Sequence, residues 1–246
     1  MKNWFKKILI FIMIAYGTLY IIGCTVTELK DKNNNGNEID LNEKDRPVNQ
    51  NNVNLDSMNT NSINKRAKLV LVNSEHGLSE VYKPEKLTIP NIPFAAGVDQ
   101  EEKHVAGVIV SPLEKLVNAA KKEGVVLLGN SGYRSYKSQK ETYNNRVKAE
   151  GKKLADAYVA KPGFSEHQTG LCMDITNKSG YFAKGTKEAE WLAENCHRFG
   201  FIIRYPYGKK SVTGIEYEPW HIRYVGDEAA KYIYDNEITL EEYLDK

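Results

Sequence analysis

Apolar and polar positions divide the chain into three stretches. Residues 8–22 are mostly apolar and uncharged, and they follow Lys2, Lys6 and Lys7. A basic start leading into such a run has the form of a secretory signal. The run is short for a membrane span, which needs roughly 20 apolar residues. From residue 25 to about 66 no apolar period is sustained, and asparagine runs such as Asn33-Asn34-Asn35-Gly36-Asn37 and Asn49-Gln50-Asn51-Asn52 dominate. A stretch this polar buries too little apolar surface to offset its ordering entropy, so it reads as a flexible tether.

Periodicity begins after residue 67. Leu69-Val70-Leu71-Val72 predicts a strand, with Asn73 as a turn residue. A short strand is expected within 105–110. Ser111-Pro112 then reads as an N-cap and first-turn proline opening a helix to about Glu123. Leu113, Leu116, Val117 and Ala120 give that helix a buried face. Val125-Val126-Leu127-Leu128 predicts a buried strand. Helices follow at about 136–149 and 154–159, the first ending at Gly151 and the second before Pro162-Gly163. Residues 171–176 form the next strand. Thr186 opens an amphipathic helix that runs to about Phe199 and is capped by Gly200. Strands at 201–205 and 220–224 flank a Gly- and Lys-containing hairpin, and helices at 227–234 and 240–244 close the chain. Strands and helices mix without a regular βαβ period. The expected class is α+β, a small antiparallel sheet with flanking helices in a single domain.

Composition narrows the function. The 246 residues carry 34 basic and 32 acidic side chains, a formal net charge of +2. That near-balance argues against nucleic acid as a partner. Three cysteines are too few for a disulfide framework, although Cys172 and Cys196 are available to pair outside a cell. The third, Cys24, ends Ile21-Ile22-Gly23-Cys24. This tetrapeptide resembles the bacterial lipobox, which implies cleavage before Cys24 and lipidation of its thiol. A single acyl chain binds a membrane only marginally, and a diacylglyceryl cysteine carries at least two. The expected organisation is a signal peptide at 1–23, a lipidated Cys24 with its tether at 24–66, and a folded domain at 67–246. The expected location is extracytoplasmic, anchored to the membrane by lipid.

The candidate chemistry centres on Ser165-Glu166-His167-Gln168-Thr169-Gly170-Leu171-Cys172-Met173-Asp174 and on Glu218-Pro219-Trp220-His221. Alternation in the 171–176 strand puts Cys172 and Asp174 on one face, with Leu171 and Met173 on the other. His167 lies just before the strand, and Gly170 lets the chain turn so that both side chains converge. Pro219 favours extended backbone at Glu218. A polyproline-like segment repeats every three residues, so Glu218 and His221 face one side. Two imidazoles, a carboxylate and a neighbouring Glu fit a catalytic zinc site with an open position. Taken singly, a His and an Asp are more often surface or capping residues. His76 and His104 fall in exposed-looking loops, and His197 in the last turn of a helix.

These residues resemble a known family. Ser165-x-His167-x-x-Gly170-x-x-x-Asp174 with Glu218-x-Trp220-His221 is similar to the VanY-like zinc D-alanyl-D-alanine carboxypeptidases and the related LdcB-type L,D-carboxypeptidases. Ser131-Gly132-Tyr133-Arg134-Ser135 with Gln139, Leu71-Val72-Asn73 and Arg204-Tyr205-Pro206 extend the resemblance over roughly residues 68–230. It implies one zinc ion held by His167, Asp174 and His221, with Glu218 as the base. Arg134, Gln139 and Ser165 match positions that hold the substrate. The family usually has Ala where Cys172 stands. Neighbouring same-face strand positions are roughly 6.5 Å apart, so Cys172 reads as packing.

The resemblance implies hydrolysis of the terminal peptide bond of a peptidoglycan stem peptide, releasing D-alanine. Glu218 would move the proton, and Arg134 would face a carboxylate or developing oxyanion. Two rivals stand beside this reading. One is L,D-carboxypeptidase action on tetrapeptide stems. The other is a non-catalytic wall-binding lipoprotein braced by zinc. A monomer facing the cell wall is expected.

Overall fold

The computed structural model describes residues 67–245, within the unit Asn49–Lys246. The signal, Cys24 and tether readings lie outside the described residues. Two short strands, β1 (Leu87–Thr88) and β2 (Val105–Ala106), pair antiparallel. The main sheet is built from β3 (Leu128–Ser131), β4 (Cys172–Thr176), β5 (Phe201–Ile203) and β6 (His221–Tyr224) in the order β3-β4-β6-β5. Every neighbouring pair in it is antiparallel. Helices α1 (Gly107–Lys122), α2 (Tyr136–Glu150), α3 (Lys152–Tyr158), α4 (Lys187–Asn195), α5 (Lys210–Thr213), α6 (Asp227–Asp235) and α7 (Leu240–Leu244) flank it. The expected α+β class and small antiparallel sheet are what the chain adopts. Among the described residues no helix is long and apolar enough to cross a membrane.

The two faces of the sheet have different jobs. Met173 and Ile175 of β4, Ile222 and Tyr224 of β6 and Phe201 of β5 enter the main core with Ile109, Leu113 and Leu116 of α1 and Leu192 of α4. A fully buried side chain of this size contributes about 1.5–3 kcal/mol, so this face holds the sheet in place. Period-2 alternation sends Cys172, Asp174, His221 and Arg223 to the opposite face, where Asp174 pairs with His221 and Cys172 with Arg223 across the ladder. Part of that face is closed by Ile202, which packs with Ala229, Ala230 and Ile233 of α6 and Leu240 of α7.

Several boundaries differ from the sequence reading. Helix α1 starts at Gly107, and Pro112 lies inside it instead of at its first turn. Proline in a helix interior removes one hydrogen bond. The buried stripe, however, begins at Ile109 and continues through Leu113, Leu116 and Ala120, so burial extends the helix past the proline. Only Val105–Ala106 of the expected 105–110 strand is extended.

The expected 69–72 strand is irregular backbone. The carbonyls of Lys68 and Val70 accept from Arg223 Nη2 at 3.0 and 2.7 Å, so a guanidinium replaces the missing ladder partner. Val125 and Leu127 are buried, but the strand proper is Leu128–Ser131, a polar segment chosen by backbone pairing. The loop between β5 and β6 carries α5 where a plain hairpin was expected. The 187–199 segment is α-helical to Asn195 and then a tighter 3₁₀ turn at Cys196–Phe199, ended by Gly200 at φ 79°.

Candidate metal centre

Three chain segments converge on the polar face of β4 and β6. A 3₁₀ turn at Glu166–Thr169 delivers His167, and Gly170 ends it in the left-handed region at φ 64°. A Cβ at Gly170 would stand 2.9 Å from the Ala106 nitrogen, so both conformation and space require glycine there. The ladder sets Asp174 opposite His221. A bulge at Asn130 in β3 brings Ser131 opposite Asp174; such bulges re-aim side chains beside functional sites.

Hydrogen-bond partners fix the two imidazoles. His167 Nδ1 lies 2.7 Å from the Gly132 carbonyl, which can only accept, so the proton sits on Nδ1 and Nε2 keeps its lone pair. Gly132 itself has no room for a side chain, since a Cβ would meet the His104 carbonyl at 2.4 Å. His221 Nε2 faces the buried Glu166 carboxylate at 3.3 Å. Its proton belongs there, leaving Nδ1 as the free donor atom.

That Nδ1 lies 3.0 Å from Asp174 Oδ1, while His167 Nε2 lies 3.5 Å from Asp174 Oδ2. Asp174 Oδ1 is buried and receives no hydrogen bond. The two rings cross at 82° with centroids 5.1 Å apart, so their lone pairs converge instead of stacking. Lone pairs facing lone pairs at these distances call for a cation, and a buried set of two nitrogens and a carboxylate suits zinc.

Glu218 Oε2 stands 3.9 Å from His221 Nδ1. The polyproline reading of this segment is corrected. Pro219 and Trp220 form the centre of a turn in which the His221 N–H bonds the Glu218 carbonyl at 3.4 Å. Proline suits the second position of such a turn. The predicted juxtaposition survives through different geometry. Burial pushes the Glu218 carboxyl up to about 7, partly opposed by His221. Burial also raises Asp174, but in the metal-free site His167 and His221, when protonated, outweigh it and hold that carboxyl at about 2.

Arg134 precedes α2, whose N-cap is Ser135. Its Nε donates to Glu102 at 2.7 Å, Nη1 to Gln139 Oε1 at 3.0 Å and Nη2 to Ser131 Oγ at 2.9 Å. Its charge reaches Asp174 and His167. Gln139 is buried and also donates Nε2 to the Ala160 carbonyl at 2.7 Å, so both ends of its amide are used within the chain. It holds Arg134 in place. Ser165 is buried at the head of the 3₁₀ turn, and its side chain makes no capping bond. The other histidines lie elsewhere: His76 on Asn73, His104 on the Gln100 carbonyl, and His197 stacked on Tyr234. Cys172 and Cys196 are both free. Cys196 belongs to the main core while Cys172 is on the opposite face of the sheet, so they cannot pair.

The sequence reading missed the charged layer behind His221. Glu166 Oε1 accepts from Arg204 Nε at 2.7 Å and from Arg223 Nη1 at 2.6 Å. Arg204 also forks onto Glu241 through Nη1 and Nη2 at 2.8 and 2.6 Å. Glu166, Arg204 and Arg223 are buried to 2% exposure or less. Guanidiniums from Arg223 and Arg204 overcome burial and keep the Glu166 carboxyl far below the usual carboxylate range. One signal was available: Arg223 sits two residues after His221 in a strand, and so on its face.

The chain is similar to known carboxypeptidases in sequence and in structure. The family model described as VanY, D-alanyl-D-alanine carboxypeptidase, matches residues 102–227. A putative carboxypeptidase, YodJ, of Bacillus subtilis is 44% identical over 183 residues, covering 72% of this chain and 67% of that protein. A D-alanyl-D-alanine carboxypeptidase of Enterococcus faecalis is 40% identical over 186 residues, 72% of this chain and 65% of its own length. Among solved structures, an LdcB LD-carboxypeptidase superposes with a TM-score of 0.70 at 43% identity, covering 74% of this chain and 88% of its own. A VanY D,D-pentapeptidase from a VanB-type resistance cassette, in complex with Zn(II), gives 0.61 at 38% identity, covering 72% and 99%. The matched span contains Arg134, His167, Asp174, Glu218 and His221, and the chain belongs to the VanY family of D-alanyl-D-alanine carboxypeptidases.

Proposed function

We propose that the chain is a zinc-dependent carboxypeptidase that removes the C-terminal D-alanine from peptidoglycan stem peptides. The observation that carries the reading is the convergence of His167 Nε2, Asp174 and His221 Nδ1 beside the Glu218 carboxylate. His167, Asp174 and His221 would hold the ion, which when bound acidifies water and polarises a carbonyl. Glu218 takes the proton of the attacking water and returns it to the leaving amine. Arg134, locked by Glu102, Gln139 and Ser131, presents a fixed positive charge to the substrate carboxylate or to the developing oxyanion. Ser165, at the head of the turn that carries His167, and Gln139, through Arg134, shape the substrate side.

The similarity to an LdcB LD-carboxypeptidase keeps L,D-action on tetrapeptide stems as the second reading. Masses of the products from defined pentapeptide and tetrapeptide stems, with the zinc-loaded protein, separate the two. Release of D-alanine from neither would sink both. Stem peptides lie outside the cell membrane, which agrees with the secretory run and the lipobox-like Cys24. Lipid labelling of the parent, lost in Cys24→Ala, tests that placement.

A further inference from the structure

The surroundings of Cys172 are not those of a packing residue. It is fully buried, yet it belongs to neither hydrophobic cluster, whereas Cys196 sits inside the main one. Its face of β4 is shared with Asp174, and the residues across the ladder on that face are Arg223 and His221. One donor atom each from His167, Cys172 and His221 lie within 4.8 Å of one another, and all three residues are buried. The roughly 6.5 Å strand repeat separates Cys172 from Asp174. The imidazoles reach it by another route, one from the facing strand and one from the 3₁₀ turn. Asp174 Oδ1, buried and without a hydrogen bond, lies 3.0 Å from His221 Nδ1 and so borders this group without belonging to it.

We infer that the Cys172 sulfur is a further donor to the metal at this centre, which makes the set two nitrogens, one carboxylate oxygen and one sulfur. The inference rests on the metal reading given above and deepens it. On binding, the S–H bond breaks, its electron pair stays on sulfur to form the metal–sulfur bond, and the proton leaves to solvent. No redox change occurs. Zinc sites expand to five ligands during catalysis, so a sulfur donor still leaves room for substrate. A thiolate makes the centre prefer thiophilic ions, zinc, cobalt and cadmium over magnesium and manganese. It should also hold zinc more tightly than the same site with alanine.

The test is cobalt substitution of the full chain under reducing conditions. The parent should show a sulfur-to-cobalt charge-transfer band in the near ultraviolet together with visible ligand-field bands. Cys172→Ser and Cys172→Ala should keep the visible bands and lose the charge-transfer band. Zinc dissociation constants by chelator competition should rise at least about tenfold in both variants. If either variant fails to fold, X-ray absorption of the zinc-loaded parent decides, through a sulfur scatterer at about 2.3 Å. Visible bands without a charge-transfer band in the parent overturn the inference and leave the metal centre standing. A charge-transfer band that persists in Cys172→Ser, from another thiol, also overturns it. Failure of the parent to bind cobalt or zinc at all removes both readings.

Discussion

Glu166→Gln tests the charged layer behind the metal centre. The substitution keeps the shape of the side chain and removes one buried negative charge. Glu166 meets Arg204 and Arg223 at 2.7 and 2.6 Å. At an effective dielectric of about 20, each such contact is worth roughly 6 kcal/mol of attraction, set against several kcal/mol of lost hydration per ion. The variant keeps Arg204 paired with Glu241. Arg223 is left facing neutral acceptors, the carbonyls of Tyr224, Lys68 and Val70 and the new amide oxygen, with no carboxylate among them. Losing one partner of a buried pair costs about 3–5 kcal/mol, a large part of a typical stability of about 5–15 kcal/mol.

Urea unfolding of the metal-free protein, followed by tryptophan fluorescence, should show a midpoint lowered by roughly 1.5–2.5 M for a slope of about 2 kcal/mol/M. Arg223→Met added to the variant removes the orphaned cation and should recover at least about 1 kcal/mol. The folded carboxyl lies below its ordinary value of 4.5, so its contribution is fully present above that pH. It fades as pH falls below 4.5, and the gap between parent and variant should shrink there. A single variant within about 1 kcal/mol of the parent at pH 7 would refute this account of the layer.

Other expectations follow from the site. Glu218→Gln should lower turnover by about 10²–10⁴-fold with zinc content unchanged; turnover within tenfold of the parent removes Glu218 as the base. The Glu218 carboxyl is raised from 4.5 to about 7 in the metal-free site, so the stabilisation it offers when protonated is lost as pH rises across that window. The metal-free parent should therefore weaken relative to Glu218→Gln between pH 4.5 and 7 in thermal unfolding, and parallel curves would contradict this. Arg134→Ala should cost about 10²–10³ in kcat/KM. Arg134→Lys should not restore it, because the planar fork serves three separate acceptors. Zinc at a thousandfold excess over its dissociation constant should add about 4 kcal/mol of stability. His221→Ala should abolish that gain, as measured by differential scanning calorimetry.

Local chemistry made part of this protein legible in the sequence. The alternation 171–176 assigned Asp174 and Cys172 to one strand face, and Gly170 marked the turn that turns out to require it. The helix opened by Thr186 was visible because apolar spacing and cap agreed, and the Thr186 side chain accepts from the Ala189 nitrogen. The motif residues His167, Asp174, Glu218 and His221 were named from spacing and resemblance alone. What failed was whatever depended on a distant partner. The start of α1 was set by burial of Ile109 in the main core, and the Val70 carbonyl of the 69–72 run accepts from Arg223 in place of a ladder partner. Asp174 and His221 meet because β4 and β6 pair in one register, a choice made by the core on the other face of the sheet. The sequence determines which groups are available, since side-chain chemistry and strand period are local. Only the tertiary structure decides which of them are aimed at one another, because a lone pair, a tautomer or a buried charge takes its meaning from the atom facing it.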